Sequence, residues 1–315
     1  MNSFIFILGR LVEFYKSKYI NALQSGLFEE KVVRARQILK DCTACPRRCH
    51  VNRLQDEIGE CRTGYHPVIS SFFPHFGEEA PLVGNHGSGT IFIAGCNLRC
   101  LFCQNYDTSH LLEGRTTEIT QFSNMMLKLQ KMGCHNINIV TPSHIVPQLI
   151  EALKYAAEDG LTIPLVYNSS GYDSLESLRL LDGLVDIYMP DFKFFHNKRA
   201  ARYTAVPDYA TIARKAIREM HRQVGDLVIK GGIARRGLLI RHLVMPGMLE
   251  DSKQIFEFIV KEISPDTYLN IMPQYRPTGE ARFYKEISNA LPYSDFRKAL
   301  ELAYTSGLQR LDKNF

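Results

Sequence analysis

The sequence lacks the features of an exported or membrane protein. Its first apolar run, at residues 4–8, is too short to span a bilayer, and no basic segment precedes it and no small-residue cleavage site follows it. A strong charge imbalance is also missing: the formal net charge of +5 does not by itself indicate nucleic acid binding. We therefore expect a cytoplasmic protein without a membrane partner, in a reducing compartment.

Cysteine, in contrast, is abundant. The 315 residues include eight cysteines, and all but Cys134 fall into two tight groups. In a reducing compartment such groups indicate thiolates bound to metal rather than disulfides. Cys134, which stands alone, is expected to be a small buried apolar residue.

One group, Cys96, Cys100 and Cys103, has the spacing C-x3-C-x2-C and directly follows an apolar, strand-like run at residues 90–94. Three thiolates on one loop can hold three irons of a [4Fe–4S] cube, whereas an electron-transfer cluster has four cysteine ligands. The missing fourth cysteine leaves one iron open, as in metal sites that bind a substrate or cofactor. The loop therefore predicts a reactive cluster.

The other group, Cys42, Cys45, Cys49 and Cys61, has the spacing C-x2-C-x3-C-x11-C. Four cysteines within twenty residues fit either a tetrahedral zinc site or a cluster. The neighbouring cluster loop favours an auxiliary [4Fe–4S] cluster, and zinc remains the alternative.

The pattern of apolar runs predicts an α/β fold. Residues 1–40 are expected to form helices, one through apolar positions at residues 8–15 and a second at residues 29–39. Residues 41–85 are expected to form a cysteine-rich, metal-binding segment, with loop and short strands at residues 65–89. Residues 86–315 are expected to form the main domain. In that domain strand-like runs lie near residues 90–94, 137–140, 163–168, 185–189, 238–245 and 267–272, and helical patterns near residues 118–132, 145–158, 174–182, 208–224, 250–263 and 294–308. Six strand–helix units favour a partial (β/α)6 TIM-like barrel, with a doubly wound sheet as the alternative.

Polar residues follow each predicted strand. They lie at residues 96–105, 141–144, 168–172, 190–193, 241–247 and 272–275. Because parallel strands bring their carboxyl ends to one edge, these residues predict a polar ring around a cofactor pocket.

The cysteine loop, with Phe102 directly before its last cysteine, resembles the radical S-adenosylmethionine (SAM) superfamily. The resemblance covers roughly residues 42–279 and is closest to the pyruvate formate-lyase activating enzymes and to uncharacterised relatives that share the N-terminal four-cysteine group. It implies that SAM binds the open iron of the cluster. The reduced cluster then cleaves SAM to methionine and a 5′-deoxyadenosyl radical, which abstracts hydrogen from a substrate.

The resemblance also implies roles for individual residues. Cys96, Cys100 and Cys103 are the iron ligands, and Phe102 contacts adenine. Asp191 holds the ribose hydroxyls and Lys193 the carboxylate, as in the family's Asp-x-Lys after the fourth strand. The resemblance also implies that Ser169, Ser170 and Arg241 bind the cofactor, and Asn138, which can form hydrogen bonds, is a further candidate for cofactor binding.

Two departures from the family pattern concern the same pocket. The Gly-Gly-Glu that binds the SAM amino group in many members is absent after the second strand, where Asn138, Thr141 and His144 are the polar residues. Tyr275 stands where the activating enzymes have a histidine. The residue that binds the amino group is therefore not assigned.

For the substrate, the resemblance favours a glycine of a glycyl-radical enzyme, held in a groove whose predicted walls are residues 191–203 and 230–236. Because both loops are basic, RNA is an alternative substrate. Another peptide and a small molecule are further alternatives. A flavodoxin- or ferredoxin-like protein is the expected electron donor, and a protein substrate is a possible partner. A non-enzymatic iron–sulfur electron carrier is the alternative from another functional class.

Overall fold

The computed structural model describes residues 6–7, 10–11 and 15–312. The strands of this part are β1 (Phe6–Ile7), β2 (Arg10–Leu11), β3 (Val68–His75), β4 (Ser88–Ile93), β5 (Arg115–Thr116), β6 (Ile137–Val140), β7 (Leu165–Ser169), β8 (Ile187–Pro190), β9 (Val228–Lys230), β10 (Ile233–Leu243) and β11 (Tyr268–Met272). The helices are α1 (Lys18–Gln24), α2 (Leu27–Lys40), α3 (Ala80–Val83), α4 (Tyr106–Ser109), α5 (Ile119–Lys131), α6 (Val146–Glu158), α7 (Leu175–Leu181), α8 (Asn197–Thr204), α9 (Tyr209–Val224), α10 (Leu249–Phe258) and α11 (Tyr293–Ser306).

Six parallel strands, which match the six predicted runs, form the centre of the sheet. Their order is β4-β6-β7-β8-β10-β11, so strands that are neighbours in the sheet follow one another along the chain. A doubly wound sheet would reverse its strand order at a switch point. The partial (β/α)6 barrel is therefore confirmed and the doubly wound alternative is wrong; the sheet is not closed, because β11 and β5 end it.

The helices between these strands pack on one side of the sheet. Phe122, Met126 and Leu129 of α5 recur at helical spacing and are fully buried, as expected for a crossover helix on a parallel sheet. The same main core takes in Tyr167 and Tyr188, which point to the helix side of β7 and β8. We call the opposite, helix-free side the inner face.

The inner face has a small apolar core of its own. Val166, Ile187 and Leu239 come from three neighbouring strands and pack around Leu82 of α3, which is fully buried. Asn136 donates its Nδ2–H to the carbonyl of Leu82 at 2.9 Å and so fixes α3 in this position. The segment that precedes β4 thus fills the inner face near the amino ends of the strands.

The region before the barrel differs from its prediction in two places. The helix expected at residues 8–15 falls partly outside the described residues, and Phe6–Ile7 and Arg10–Leu11 are antiparallel strands instead. Val68–His75, expected as loop with short strands, is an eight-residue strand that pairs antiparallel with β4. The helix predicted at residues 29–39 is present as α2.

Across residues 6–7, 10–11 and 15–312, no helix combines the length and the apolar character that a bilayer crossing requires.

Candidate active site

The predicted cluster loop leaves β4 at the carboxyl edge of the sheet and leads into α4. Cys96, Cys100 and Cys103 are free thiols on this loop. Gly95, which precedes them, has φ +79°, a conformation that glycine adopts without strain and that turns the chain away from the strand. Backbone hydrogen bonds from Arg99 N to Thr204 O (3.2 Å) and from Leu101 N to Tyr203 O (2.9 Å) hold the loop against α8.

The surroundings of Cys96 and Cys100 favour the neutral thiol until a cation is bound. Burial raises the pKa of Cys96 to about 12, and burial also raises the pKa of Cys100. The ammonium of Lys193 opposes both shifts in part. Metal binding requires thiolates, so loading this loop releases protons.

Asp191, Lys193 and Arg241 form a charged group beside the loop. Arg241 donates Nε–H to Asp191 Oδ1 at 2.8 Å, and Lys193 Nζ donates to Asp191 Oδ2 at 2.5 Å. Arg241 also donates from Nη2 to Oδ1 of Asn168 at 2.8 Å. The residues that the sequence placed at the ends of three strands therefore meet at one point.

The protonation states of this group follow from its charges. Burial alone raises the pKa of Asp191, but Arg241 and Lys193 outweigh burial and hold that pKa below its usual value. Burial likewise opposes the charge of Lys193, whereas Asp191 raises its pKa. The group therefore presents one carboxylate between two cations.

Strand register shows which polar residues share the inner face. In a parallel sheet, paired residues point to the same side. Asn138 pairs with Val166, Asn168 with Met189, and Asp191 with Arg241, so these polar side chains lie on the face that carries the small apolar core. Asn138, Asn168, Asp191, Arg241 and Asn270 form the inner polar set.

Several buried polar atoms at this edge have no hydrogen-bond partner among the described residues. They are the two polar amide atoms of Asn138, His144 Nδ1 and Ser170 Oγ, and all belong to β6, β7 or the turns that follow them. Burying an unpaired polar group is costly, so such atoms indicate a polar ligand or ordered water. With three free thiols and the charged group beside them, they fit a site for a cluster and a polar cofactor.

The structure separates two residues that the sequence put together. Ser170 has its hydroxyl buried and unpaired within the described part of the chain. Ser169 follows Asn168 in β7, so its side chain points to the helix side, where it donates to Asp173 Oδ2 at 2.6 Å. Phe102 is buried in the main core and packs edge-to-face on Phe194, with ring centroids 5.9 Å apart.

Two acidic residues of the site were not predicted. Glu78 lies 3.6 Å from Arg241 through Oε2 and Nη1, and Glu79 accepts a hydrogen bond from Asn270 Nδ2 at 2.8 Å. Burial raises the pKa of Glu79, although Arg241 opposes this shift. Both residues precede α3 in a segment without periodicity, and a pair of adjacent carboxylates before Pro81 was the only signal there.

The four-cysteine segment packs directly against the cluster loop. Arg47 donates Nε–H to the carbonyl of Asn97 at 2.9 Å. A Cβ on Gly95 would lie 2.6 Å from the carbonyl oxygen of Cys61, so the two segments touch there without a side chain between them. Cys42, Cys45, Cys49 and Cys61 are free thiols.

In the four-cysteine segment, Cys45 and Cys49 have surroundings that favour the neutral thiol. Burial raises the pKa of Cys45 to about 12 and raises that of Cys49. Over the part of the chain that the structure describes, no three His, Cys, Asp or Glu side chains are arranged to hold a single metal ion. In a [4Fe–4S] cube each thiolate binds a different iron, so cluster ligands do not converge on one point.

A C-terminal strap, residues 273–291, covers the cluster loop from the other side. Thr278 Oγ1 lies 3.2 Å from the carbonyl oxygens of both Phe102 and Cys103, to which its hydroxyl donates. Gln104 donates its Nε2–H to the carbonyl of Gln274 at 2.9 Å. Tyr275, which stands in place of the family histidine, is buried and donates its hydroxyl to the carbonyl of Ile287 at 2.6 Å.

The two basic loops predicted as groove walls lie at opposite edges of the sheet. Residues 191–203 follow the carboxyl end of β8, where a cleft of about 370 Å³ opens between Arg202, Tyr203, Gly247 and Glu286. Residues 230–236 join β9 to β10 at the amino end of β10, so they are not a wall of this site. The charge of Arg202 is paired with Glu286 in an ion pair.

Comparison with known proteins identifies the family of this chain. The family model described as the Radical SAM superfamily matches residues 90–259. This chain belongs to the radical SAM superfamily. The matched residues begin in β4, include the cluster loop and the charged group, and end just after α10. The family implies an iron–sulfur enzyme with a [4Fe–4S] cluster and SAM.

Individual relatives and solved structures were also found. This radical SAM enzyme is 36% identical over 288 residues to an uncharacterized protein of Methanocaldococcus jannaschii. The alignment covers 89% of this chain and 79% of that protein. SuiB of Streptococcus suis bound to S-adenosylmethionine shares 14% identity at a TM-score of 0.47; the match covers 69% of this chain and 47%, less than half, of SuiB. Methylornithine synthase shares 11% identity at a TM-score of 0.47, over 93% of this chain and 75% of that one.

Proposed function

We propose that this enzyme binds SAM at the carboxyl edge of its sheet, against the loop of Cys96, Cys100 and Cys103, and abstracts a hydrogen atom from a substrate held beside it. The observation that carries the proposal is the meeting of three free thiols with the charged group of Asp191, Lys193 and Arg241. The cofactors supply the chemistry: one electron from the reduced cluster cleaves SAM to methionine and a radical that takes the hydrogen.

The chain's own residues bind and orient the cofactor. Asp191 accepts the ribose hydroxyls, and Lys193 pairs with the carboxylate of the methionine part, because a carboxylate and a cation are the natural partners of those groups. Asn138 and Ser170, whose buried polar atoms are unpaired in the described structure, complete the polar contacts. Arg241 holds Asp191 and Asn168 in place.

For the substrate we propose a glycine-containing peptide segment, as in the activation of a glycyl-radical enzyme. The cleft of about 370 Å³ beside the cluster loop supports this, since it admits a short extended segment rather than a folded domain. An RNA substrate has less support, because residues 230–236 lie at the far edge and Arg202 is already paired with Glu286. The proposed electron donor is a flavodoxin- or ferredoxin-like protein.

We also propose that Cys42, Cys45, Cys49 and Cys61 hold a second metal centre, and we favour a [4Fe–4S] cluster over zinc. All four thiols are free, and three of them are buried next to the cluster loop. The contact of this segment with the cluster loop, through Arg47 and the carbonyl of Asn97, favours a cluster over a mononuclear zinc site.

The reaction is tested anaerobically with protein reconstituted with iron and sulfide, reduced with dithionite and given SAM. We expect 5′-deoxyadenosine from the wild type and from Cys134→Ala, a thiol outside both groups, but none from Cys100→Ala. A fully loaded wild-type cluster that forms no product, and whose EPR signal SAM does not change, contradicts the proposal and favours an electron carrier.

The substrate is tested with deuterated glycine in a synthetic peptide. Transfer of deuterium into 5′-deoxyadenosine supports the glycyl proposal. If 5′-deoxyadenosine forms but contains no deuterium, the proposal of a glycine substrate is contradicted, whereas the proposal of SAM cleavage still stands.

A further inference from the structure

Arg53 is the largest side chain buried almost completely in the described protein, with 1% of its surface exposed. It belongs to the four-cysteine segment, between Cys49 and Cys61. Its Nε–H donates to the carbonyl of Gly64 at 3.0 Å, and Nη1 donates to the carbonyl of His144 at 2.6 Å. The guanidinium thus faces the main domain rather than solvent.

Within residues 15–312, this buried cation has no acidic partner. Among residues 15–312 no carboxylate forms an ion pair with Arg53, and Nη2 has no hydrogen-bond partner there. An uncompensated charge in a protein interior costs several kcal/mol, and arginine cannot escape that cost by losing its proton. A negative charge is therefore needed close to the guanidinium.

A thiol beside the guanidinium can supply it. Cys42 Sγ lies 4.0 Å from Arg53 Nη1, and Cys42 is one of the four proposed ligands. Four thiolates around a zinc ion or an oxidised [4Fe–4S] core leave a net negative charge on the centre. Either centre would give the guanidinium its counter-charge.

We infer that the four-cysteine segment takes an anionic metal–thiolate centre and that Arg53 is its buried counter-cation. The inference rests on the second metal centre proposed above and adds to it the charge and the residue that balances it. Arg53 acts as a positioning residue, because its bonds to Gly64 and His144 fix the guanidinium beside Cys42.

The same side chain connects the second centre to the cluster loop. His144, whose carbonyl accepts from Arg53, donates its Nε2–H to the carbonyl of Ala94 at 3.2 Å. Ala94 is followed directly by Gly95 and Cys96. Burial lowers the pKa of His144 to about 3, and the charge of Arg53 contributes, so the imidazole is neutral and the chain of contacts does not depend on its protonation above that pH.

The test uses the full chain with Cys96, Cys100 and Cys103 replaced by alanine, so that only the four-cysteine segment can be loaded. This parent is compared with its Arg53→Met, Arg53→Lys and Arg34→Met forms; Arg34 is an exposed arginine of α2 and controls for overall charge. One arm is loaded with Zn²⁺ and the other with iron and sulfide. Metal content, the rate of metal release to a chelator, and the melting temperatures of loaded and apo protein are measured.

We expect Arg53→Met to weaken metal retention about 10- to 100-fold, the usual effect of removing an outer partner of a metal ligand, and Arg53→Lys to weaken it less. The loss of melting temperature should be larger in the loaded than in the apo protein, because the charge pair exists only with metal. In the iron arm the midpoint potential should fall in Arg53→Met, since the reduced, more negative centre loses a cation.

Equal losses of melting temperature in apo and loaded Arg53→Met, with unchanged metal release, would reduce Arg53 to a purely structural residue and overturn the inference. A parent that binds neither zinc nor iron would overturn the second metal centre together with it. Because this parent carries no cluster loop cysteines, neither outcome bears on the cleavage of SAM.

Discussion

Gly95 and Cys61 are in direct backbone contact: a Cβ on Gly95 would lie 2.6 Å from the carbonyl oxygen of Cys61. The first residue before the cluster cysteines and the last cysteine of the N-terminal group therefore share one packing surface. A displacement of either segment must move the other, since protein interiors are close-packed.

Replacing Gly95 by alanine is expected to lower the iron content of both cysteine groups. The new Cβ meets a backbone carbonyl that cannot rotate away, in addition to the strain of φ +79°. Gly183→Ala is the matched control, because Gly183 has φ +81° but its Cβ would have no neighbouring atom closer than 4.0 Å. Iron and sulfide analysis after reconstitution measures the effect. Equal iron in the two variants would mean that the contact with Cys61 does not matter.

Replacing Arg241 by lysine is expected to weaken SAM binding about 10- to 100-fold. Lysine keeps the charge but cannot bond Asp191 and Asn168 together, and a buried charged hydrogen bond contributes about 1.5–3 kcal/mol. Isothermal titration calorimetry of the reconstituted protein with SAM measures the affinity. Arg218→Lys, in the exposed pair with Glu262, should bind SAM as the wild type does. An unchanged affinity in Arg241→Lys would remove Arg241 from the cofactor site.

His242 should make stability depend on pH between about 6.5 and about 4. Burial lowers its pKa to about 4, whereas in the unfolded chain the value is about 6.5. In that window the unfolded state binds more protons, so the free energy of unfolding falls as the pH falls, by up to about 1.4 kcal/mol per pH unit. Above pH 6.5 the contribution is fully present. Neutral His242 donates Nδ1–H to the carbonyl of Phe192 at 2.7 Å and accepts from Ser252 Oγ at 2.8 Å, and so anchors the residue next to Asp191.

Urea unfolding of the wild type and of His242→Gln across this range tests that prediction. The advantage of the wild type should shrink as the solution becomes more acidic. Two curves that stay parallel from pH 7 to pH 4 would show that His242 titrates alike in the folded and unfolded states.

Thr278→Val should make the cluster more sensitive to air. The variant keeps the shape of the side chain but removes the hydroxyl that donates to the carbonyls of Phe102 and Cys103, a loss of about 1 kcal/mol of strap attachment. Decay of the visible cluster absorption in air is expected to be about fivefold faster. Thr305→Val removes a similar bond, to the carbonyl of Glu301 on α11, and should decay as the wild type does. Identical decay in both variants would mean that the strap does not shield the cluster.

The barrel and the charged group could be predicted from the sequence because their signals are local. Parallel strands covered by helices are nearly continuous apolar runs, and residues that follow such strands meet at one edge. Asp191, Lys193 and Arg241 were found in this way. Ser169 was misplaced for an equally simple reason: successive strand residues face opposite sides, so Asn168, not Ser169, reaches the inner face.

What the sequence did not predict depends on long-range packing. Glu78 and Glu79 belong to a segment without periodicity, and their partners Arg241 and Asn270 are far away along the chain. The strand nature of Val68–His75 likewise follows from the partner it finds in β4. Side-chain partners at such separations cannot be derived from residue spacing.

Leu82 closes the inner face of the sheet at one end. It is fully buried among Val166, Ile187 and Leu239, so the inner face is filled near the amino ends of its strands. A ligand bound at the carboxyl edge therefore has no exit through the amino end of the inner face.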